Sequence, residues 1–338
     1  MPLTRVKLTR FTAFEHLDLP LSPGVNIFIG ANSTGKTHLL KVMYAACDVT
    51  KTKGELPEKL YRVFLPQEQL GRLVHRQRGV TEASAEVYRD GTHVGIVFTT
   101  RDTAASAKVR NAAGWSKVAM ECAYIPAKEM LANAPGFRSH YQLREVHFEE
   151  VYADIIDRAF LDPLRGIPDA PRTVLLELIR KGIKGRVTTK GEVFYLSSPE
   201  GNLEFTLLAE GFRKLGLLYR LVQNGTLTNG SVLFWDEPEA NLNPSMMGTV
   251  VDILLRLQEM GVQIFLATHD YVMLKQFDLR AKPDNQVRYH ALHRDPDTHG
   301  VIASSTDQYA LIEPNAISDT FADLYDADLR RALGRDAQ

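Results

Sequence analysis

The sequence predicts an α/β fold, in which helices pack on a largely parallel sheet. An apolar strand at 25–29 runs directly into a glycine-rich turn and then into a helical segment. In the last third of the chain, strands and helices alternate, and two further apolar strands each end in polar residues. Parallel strands connected through helices produce this β-α-β-α order.

The N-terminal third is predicted to add antiparallel strands. Apolar residues recur at short spacing over 3–20, Pro23-Gly24 favours a turn, and residues 82–100 alternate around Asp90-Gly91, which is a hairpin signal. Residues 36–48 carry apolar side chains at helical spacing. Residues 141–182 are predicted to be mainly helical and 186–207 to return to strands. After 278 we expect two short strands and an acidic helix near 316–333.

Bulk composition excludes several classes of protein. The 338 residues carry a net charge of -1, with 44% apolar and 24% charged residues, as in ordinary globular proteins. The two cysteines, Cys47 and Cys122, form no metal-binding pair. The N-terminal segment lacks the apolar core of a signal peptide, and no apolar stretch is long enough to span a membrane. We therefore expect a cytoplasmic protein without a membrane partner.

The glycine-rich turn has the form GxxxxGK[ST], which places a phosphate-binding loop (P-loop) between a strand and a helix. Backbone N–H groups of such a loop and the start of the following helix attract phosphate. The lysine is expected to reach the β- and γ-phosphates of ATP, and the hydroxyl after it to ligate Mg²⁺. The predicted nucleotide-binding residues here are Gly30, Ala31, Asn32, Ser33, Thr34, Gly35, Lys36, Thr37 and His38.

Two carboxylates end the predicted strand 231–235. Asp236 is expected to orient Mg²⁺ together with Thr37, and Glu237 is the candidate general base for the attacking water. The next predicted strand, 262–267, ends in Thr268-His269, and His269 is a candidate contact for the γ-phosphate or the water. Lys36, Glu237 and His269 are thus the predicted catalytic residues.

These motifs, in this order, resemble the ABC-type ATPases of the SMC/RecF/OLD group. The segment Leu208–Leu215 lies where that group has its signature, and Glu239-Ala240-Asn241-Leu242-Asn243-Pro244 follows the Asp-Glu-Pro run. Stand-alone OLD-like AAA family ATPases of bacteria have a similar N-terminal pattern, LTRFTAFEHLDLPLSPGVNIFIGANSTGKT. The resemblance implies a P-loop NTPase head with a mixed β-sheet core, an antiparallel β subdomain and an inserted helical lobe. SMC proteins of that group insert a long coiled coil, but this sequence shows no heptad run, so we expect a head without a coiled-coil arm.

Within that single head, we expect 1–125 and 205–300 to form the ATPase core and β subdomain. Residues 126–204 would form the inserted lobe and 301–338 a C-terminal extension. The resemblance further implies that two heads sandwich ATP, with Gly211 and Asn241 meeting the nucleotide of the partner subunit. Ala209 occupies the usual signature serine position, so this chain lacks the hydroxyl that would contact the γ-phosphate across that dimer. Gln67, Gln69 and Gln142 are open candidates for the Q-loop glutamine.

Three functions remain open at this level. The first is an ATPase switch that controls a separate effector, a nuclease or toxin, in bacterial anti-phage defence, as the family resemblance implies. The second is a RecF-like DNA-repair or DNA-end-binding ATPase. Two basic clusters support it: Arg72, His75, Arg76 and Arg78, then Arg180, Lys181, Lys184, Arg186 and Lys190. The third is an ATP-gated scaffold with negligible turnover, which Ala209 motivates.

Overall fold

A computed structural model describes residues 2–67, 69–75, 79–144, 147–295 and 300–333. Arg76 and Arg78 of the first basic cluster lie outside this part of the chain. The described residues form a five-stranded, a six-stranded and a three-stranded sheet.

The five-stranded sheet is antiparallel and has the order β2-β1-β4-β5-β6. The predicted hairpin around Asp90-Gly91 is confirmed, and both of these residues have positive φ. The strands are β1 (Leu3–Phe11), β2 (Phe14–Pro20), β4 (Glu82–Arg89), β5 (Thr92–Thr99) and β6 (Lys108–Arg110).

The six-stranded sheet is mixed and has the order β14-β13-β3-β12-β11-β7. All neighbours are parallel except β13 and β14, which are antiparallel. The carboxyl ends of β3, β12, β11 and β7 therefore meet at one edge. The strands are β3 (Val25–Ile29), β7 (Cys122–Ile125), β11 (Val232–Asp236), β12 (Gln263–Thr268), β13 (Val287–Arg294) and β14 (Val301–Thr306).

The three-stranded sheet lies within the segment expected as an inserted lobe. It has the order β10-β9-β8. Its strands are β8 (Arg186–Lys190), β9 (Val193–Ser198) and β10 (Gly201–Glu204). The helices of the molecule are α1 (Lys36–Thr52), α2 (Leu56–Phe64), α3 (Ala112–Trp115), α4 (Phe137–Arg144), α5 (Glu150–Phe160), α6 (Ala170–Ile183), α7 (Glu210–Gln223), α8 (Pro244–Glu259), α9 (Tyr271–Arg280) and α10 (Ala316–Ala332).

The six-stranded sheet lies between two apolar cores because alternate side chains of each strand point to opposite faces. Ile27 and Trp235 join a core that includes residues of α6, α7 and α8. Phe28 and Phe234 join the other, which includes α1 and the five-stranded sheet. The α/β fold, the mixed core sheet and the antiparallel N-terminal sheet expected from the sequence are confirmed.

The predicted ATPase core, inserted segment and C-terminal extension pack against one another. β14 pairs with β13 in the core sheet, so the expected boundary at residue 300 falls between two paired strands. The inserted segment contributes α6 to the core beneath α7 and α8. Glu149, the residue before α5, forms an ion pair with Lys41 of α1 (2.5 Å). Cys47 and Cys122 are buried free thiols.

Candidate functional site

The P-loop connects β3 to α1 through backbone geometry that only glycine accepts easily. Gly30 has φ of 151°, and a Cβ there would lie 2.2 Å from the carbonyl oxygen of Leu292. Gly35 has φ of 88°, and its Cβ would meet the Phe14 ring at 2.6 Å. The loop therefore has no room for side chains at these positions, and its backbone can approach a ligand closely.

Lys36 lies inside the loop that precedes it. Its Nζ donates hydrogen bonds to the carbonyl oxygens of Gly30 (2.6 Å) and Ala31 (3.0 Å). Burial lowers the pKa of Lys36, while the nearby carboxylates of Asp236 and Glu237 oppose that shift. The ammonium group is thus held at the centre of the loop, and it can exchange its carbonyl partners for phosphate oxygens.

A cavity of about 450 Å³ opens over this loop. Glu237 joins the P-loop in its lining, although it follows Lys36 by some two hundred residues. The lining residues are Asn32, Ser33, Thr34, Gly35, Lys36, Thr37, His38 and Glu237.

Asp236 lies at the end of β11, directly beside the start of α1. It accepts a hydrogen bond from Thr37 Oγ1 at 2.9 Å, and Tyr124 OH donates to its Oδ2 at 3.3 Å. Burial raises the pKa of Asp236, and the hydrogen bond from Thr37 counteracts this effect. The structure therefore brings together the hydroxyl and the carboxylate that the sequence predicted as magnesium ligands.

Glu237 and His269 meet at the neighbouring strand ends. Glu237 has a φ of 47°, and its N–H donates to Ala267 of β12 at 2.9 Å. Its Oε1 lies 3.5 Å from Nδ1 of His269, whose side chain is half exposed. Glu237 and His269, the predicted catalytic residues other than Lys36, are thus adjacent. Both side chains remain accessible to solvent and to a ligand.

His38 lines the cavity, and its ring packs against α2. Its ring is 5.5 Å from that of Phe64 of α2, and burial lowers its pKa to about 4. The side chain is therefore neutral at physiological pH. We therefore expect His38 to contribute to nucleotide binding through its backbone at the start of α1 and not through a charged ring.

Gly211 and Asn241 are near each other but do not line the cavity over the P-loop. Gly211 is buried in the first turn of α7, where a Cβ would meet Leu242 at 3.1 Å. Asn241 has a φ of 56°, and its Nδ2 donates to Glu210 Oε2 at 3.0 Å. The signature segment and the segment after Asp236-Glu237 are thus in contact within the chain.

Sequence patterns assigned no role to four residues at this edge of the sheet. Lys214 of α7 is buried and donates to the carbonyl oxygen of Ala240 at 2.5 Å. Glu129, in the segment after β7, is 2.9 Å from Nε of Arg213. The other two are Tyr124, beside Asp236, and Glu239, which accepts a hydrogen bond from Thr268 (2.8 Å). Their only sequence signal was proximity to a motif, because each contacts residues remote in the chain.

Comparison with protein families identifies the chain. Residues 72–275, well over half of its length, match the model of a family described as "AAA domain, putative AbiEii toxin, Type IV TA system". Curated relatives include the DNA replication and repair protein RecF of Renibacterium salmoninarum, 46% identical over 43 residues, and of Cronobacter sakazakii, 48% identical over 44 residues. Each alignment covers 13% of this chain and 11% or 12% of the relative.

Solved structures show the same fold at low sequence identity. An SMC head bound to the C-terminal winged-helix domain of ScpA has a TM-score of 0.60 at 11% identity, covering 90% of this chain and 98% of that one. An SMC head with an extended coiled coil, bound to the C-terminal domain of ScpA derived from Pyrococcus furiosus, has a TM-score of 0.53 at 9% identity. It covers 97% of this chain and 99% of that one. The chain therefore belongs to this AAA-domain family, and its fold is similar to that of SMC heads.

Proposed function

We propose that this protein binds ATP with Mg²⁺ and hydrolyses it between two copies of the chain. The observation that carries the proposal is the convergence of Lys36, the Thr37–Asp236 pair and Glu237 at one cavity beside the P-loop. These groups supply a cation, oxygen ligands and a base, which phosphoryl transfer to water requires.

Each residue has a defined task in this proposal. Lys36 exchanges its two backbone carbonyl partners for β- and γ-phosphate oxygens. Thr37 and Asp236 would hold Mg²⁺, which neutralises phosphate charge when bound. Glu237 accepts a proton from the attacking water through its carboxylate, and His269 contacts the γ-phosphate. Most of the rate gain would come from positioning and charge stabilisation.

Two variants test this assignment. Lys36→Ala should abolish ATP binding, because the loop loses its only inward cation. Glu237→Gln should bind ATP as tightly as the wild type and lower turnover by about 100-fold or more, because the amide accepts no proton. Fluorescent-nucleotide titration and phosphate release measure the two effects. Tight ATP binding by Lys36→Ala would refute the P-loop assignment, and unchanged turnover of Glu237→Gln would favour the scaffold function.

We further propose that ATP-dependent dimerisation controls a separate effector, a nuclease or toxin, in cytoplasmic anti-phage defence. The description of the family refers to a toxin system, and the SMC heads of similar fold were solved with a bound ScpA domain. In the described residues no helix is long and apolar enough to cross a membrane. Co-purification with the products of neighbouring genes, with and without ATP, tests this step. If none of these gene products binds the Glu237→Gln protein in the presence of ATP, control of a separate effector is contradicted.

A DNA-binding ATPase is the second candidate, and one surface groove favours it. Four basic side chains of the inserted segment, Arg180, Lys181, Lys184 and Arg186, line a groove of about 550 Å³. Glu177 shares that groove and pairs with Arg180 at 2.5 Å, which reduces its positive charge. DNA-stimulated turnover that falls steeply with salt would support this function. Turnover insensitive to DNA would favour effector control.

A further inference from the structure

We propose that Lys214 is a positioning residue for ATP hydrolysis, which holds the backbone turn of Glu237 so that the carboxylate faces the P-loop cavity. This inference deepens the proposed function and rests on it. Lys214 lies in the first half of α7, whereas the turn that it contacts follows β11. No motif assigned the lysine a role, because its two partners follow it by 23 and 26 residues.

The side chain of Lys214 crosses from α7 to the turn between residues 237 and 240. Its Nζ donates to the carbonyl oxygen of Ala240 at 2.5 Å and, over a longer distance of 3.4 Å, to that of Glu237. The lysine is only 1% exposed. The first and the last residue of the turn thus share one buried donor that comes from a different element of the fold.

These hydrogen bonds do not depend on the charge of Lys214. Burial lowers its pKa, and the carboxylates of Glu210 and Glu239 oppose that shift. The ammonium form has three N–H donors, and a neutral amine still has two, which is enough for both carbonyl oxygens. A buried amine costs free energy unless it is hydrogen-bonded, and a methionine would fill the same space without that cost. The contacts with the turn therefore account for a lysine at this position better than packing does.

The backbone of Glu237 needs support from its surroundings. Its φ of 47° is a left-handed conformation that is strained for a residue with a side chain, and the next residue, Pro238, has no N–H to donate. On one side β12 holds this backbone, because the N–H of Glu237 donates to Ala267 at 2.9 Å. On the other side the carbonyl oxygen of Glu237 accepts from the N–H of Ala240 (3.0 Å) and from Lys214.

Support on both sides of this backbone fixes the direction of the Glu237 side chain. The residue lines the P-loop cavity, and its Oε1 is 3.5 Å from Nδ1 of His269. A general base must lie within hydrogen-bond reach of the attacking water, and a displacement of about 1 Å can lower a rate by about 100-fold. Loss of the contacts from Lys214 would relax the turn and move the carboxylate, although Lys214 itself does not line the cavity.

The variant Lys214→Met removes the donor and keeps most of the apolar stem. We expect ATP affinity within about twofold of the wild type, because no residue of the P-loop is changed, and kcat lowered by about 10- to 100-fold. Fluorescent-nucleotide titration and phosphate release separate the two effects. In a Glu237→Gln background, Lys214→Met should cause no further loss of single-turnover phosphate release, because the base that it positions is already absent.

Arg220→Met is the matched control on the same helix. Arg220 is 4% exposed, and its guanidinium donates to the carbonyl oxygens of Ala159 and Leu161 at 3.0 Å each. This variant also takes a buried donor from α7, but at the end of the helix that is remote from the turn of Glu237. We expect it to lose thermal stability and to keep kcat within about twofold of the wild type.

Hydrogen exchange of the turn tests the positioning role without hydrolysis. In the nucleotide-free protein, the backbone amides of residues 237–243 should exchange about 10-fold faster in Lys214→Met, because the lost hydrogen bond no longer opposes local opening. They should exchange at the wild-type rate in Arg220→Met. If the wild type does not hydrolyse ATP, the proposed function fails, and the exchange of the turn alone then decides this inference.

Each result decides the proposal. Unchanged exchange of the turn in Lys214→Met overturns it, and so does a wild-type kcat. Equal losses of kcat in Lys214→Met and Arg220→Met, a further loss in the Glu237→Gln background, weaker ATP binding, or a Lys214→Met protein that does not fold would assign the lysine a structural role and also overturn it. Faster exchange of the turn with a lower kcat, unchanged ATP affinity and no further loss in the double variant supports it.

Discussion

Asp236 shows at the scale of one residue how a site is assembled from distant parts of the chain. Thr37 and Tyr124, which precede it by 199 and 112 positions, both donate hydrogen bonds to its carboxylate. Removing either donor should weaken the orientation of the carboxylate without unfolding the protein.

Tyr124→Phe should therefore weaken Mg²⁺-dependent ATP binding by severalfold and leave the thermal midpoint almost unchanged. The lost hydrogen bond is long at 3.3 Å, and a hydrogen bond to a charged group contributes about 1.5–3 kcal/mol at most. Nucleotide titration at several Mg²⁺ concentrations measures the effect. Tyr152→Phe is the matched control, since Tyr152 lies nearby on α5 and no hydrogen bond from its hydroxyl to Asp236 is observed in the described chain. Equal losses in both variants would contradict a specific role of Tyr124.

His290 gives a pH-dependent prediction at the same scale. Burial lowers its pKa to about 3, and its ring nitrogens contact Ser305 Oγ (2.8 Å) and Asn26 Oδ1 (3.2 Å). An unfolded histidine has a pKa near 6.5, so below about pH 6.5 the unfolded chain binds a proton that the folded chain does not. The contribution of His290 to the free energy of unfolding is therefore fully present above about pH 6.5 and is lost as the pH falls toward 3.

For this one group the free energy of unfolding should fall by about 1 kcal/mol between pH 7 and 5.5. His290→Gln should lower stability at pH 7 but show a smaller further loss on acidification. Urea unfolding at the two pH values measures the difference. If the wild type and His290→Gln lose the same stability between the two pH values, His290 is not the cause of the pH dependence.

At the scale of elements, buried charges join the P-loop helix to the inserted segment. Lys59 of α2 is 2% exposed and pairs with Asp48 of α1 (2.7 Å) and Asp154 of α5 (2.6 Å). Arg158 of α5 pairs with Asp48 as well. Three helices thus share one buried network, through which a shift of α1 on nucleotide binding would reach α5.

Lys59→Met should lower the free energy of unfolding by about 3–5 kcal/mol, because it removes the cation that pairs with Asp154 and leaves Asp48 with Arg158 alone. The double variant Lys59→Met/Asp48→Asn should recover part of this loss. Arg62→Ala is the matched control: the Arg62 side chain is 42% exposed and pairs with Glu150 at 2.9 Å, so its removal should cost within about 1 kcal/mol. Chemical denaturation measures the stability of all three variants. Equal losses for Lys59→Met and Arg62→Ala would show that burial does not strengthen the contribution of the Lys59 network.

At the scale of the whole molecule, the question is how two copies meet. Gly211 and Asn241 do not line the P-loop cavity of their own chain, and in the proposed dimer the start of α7 and Asn241 meet the nucleotide of the partner subunit. Ala209 is exposed at the N-cap of α7 and caps it with no side-chain hydrogen bond. The start of that helix is an anion site in the proposed dimer.

Glu237→Gln with ATP and Mg²⁺ should elute as a dimer, about twice the 37.9 kDa of one chain, and as a monomer without nucleotide. Adding Ala209→Glu should keep ATP binding but prevent dimerisation, because it sets a negative charge against the γ-phosphate of the partner. Light scattering coupled to size exclusion measures the mass. Dimers of the Ala209→Glu variant would place the interface elsewhere.

Local pattern was sufficient for the core of the fold. The strand before the P-loop, the strands before Asp236 and His269, and helix α8 at Pro244–Glu259 all lie where the sequence predicted them. The segment 101–117 is rich in Ala, Ser and Asn, a composition that predicts a loose connection, and this prediction is wrong. The segment contains β6 and α3, and Trp115 is fully buried against Arg89. That burial depends on a partner remote in sequence, which local pattern cannot reveal.

The sequence by itself determined the chemistry of this protein: a glycine-rich loop with lysine and threonine, and polar residues at the ends of two later strands. These signals are local because loop curvature and strand burial depend on neighbouring residues. Only the tertiary structure decided that β3, β12 and β11 lie side by side. That order brings Glu237 against the P-loop cavity and Glu239 against His269, since contacts between strands depend on sheet order rather than on distance along the chain.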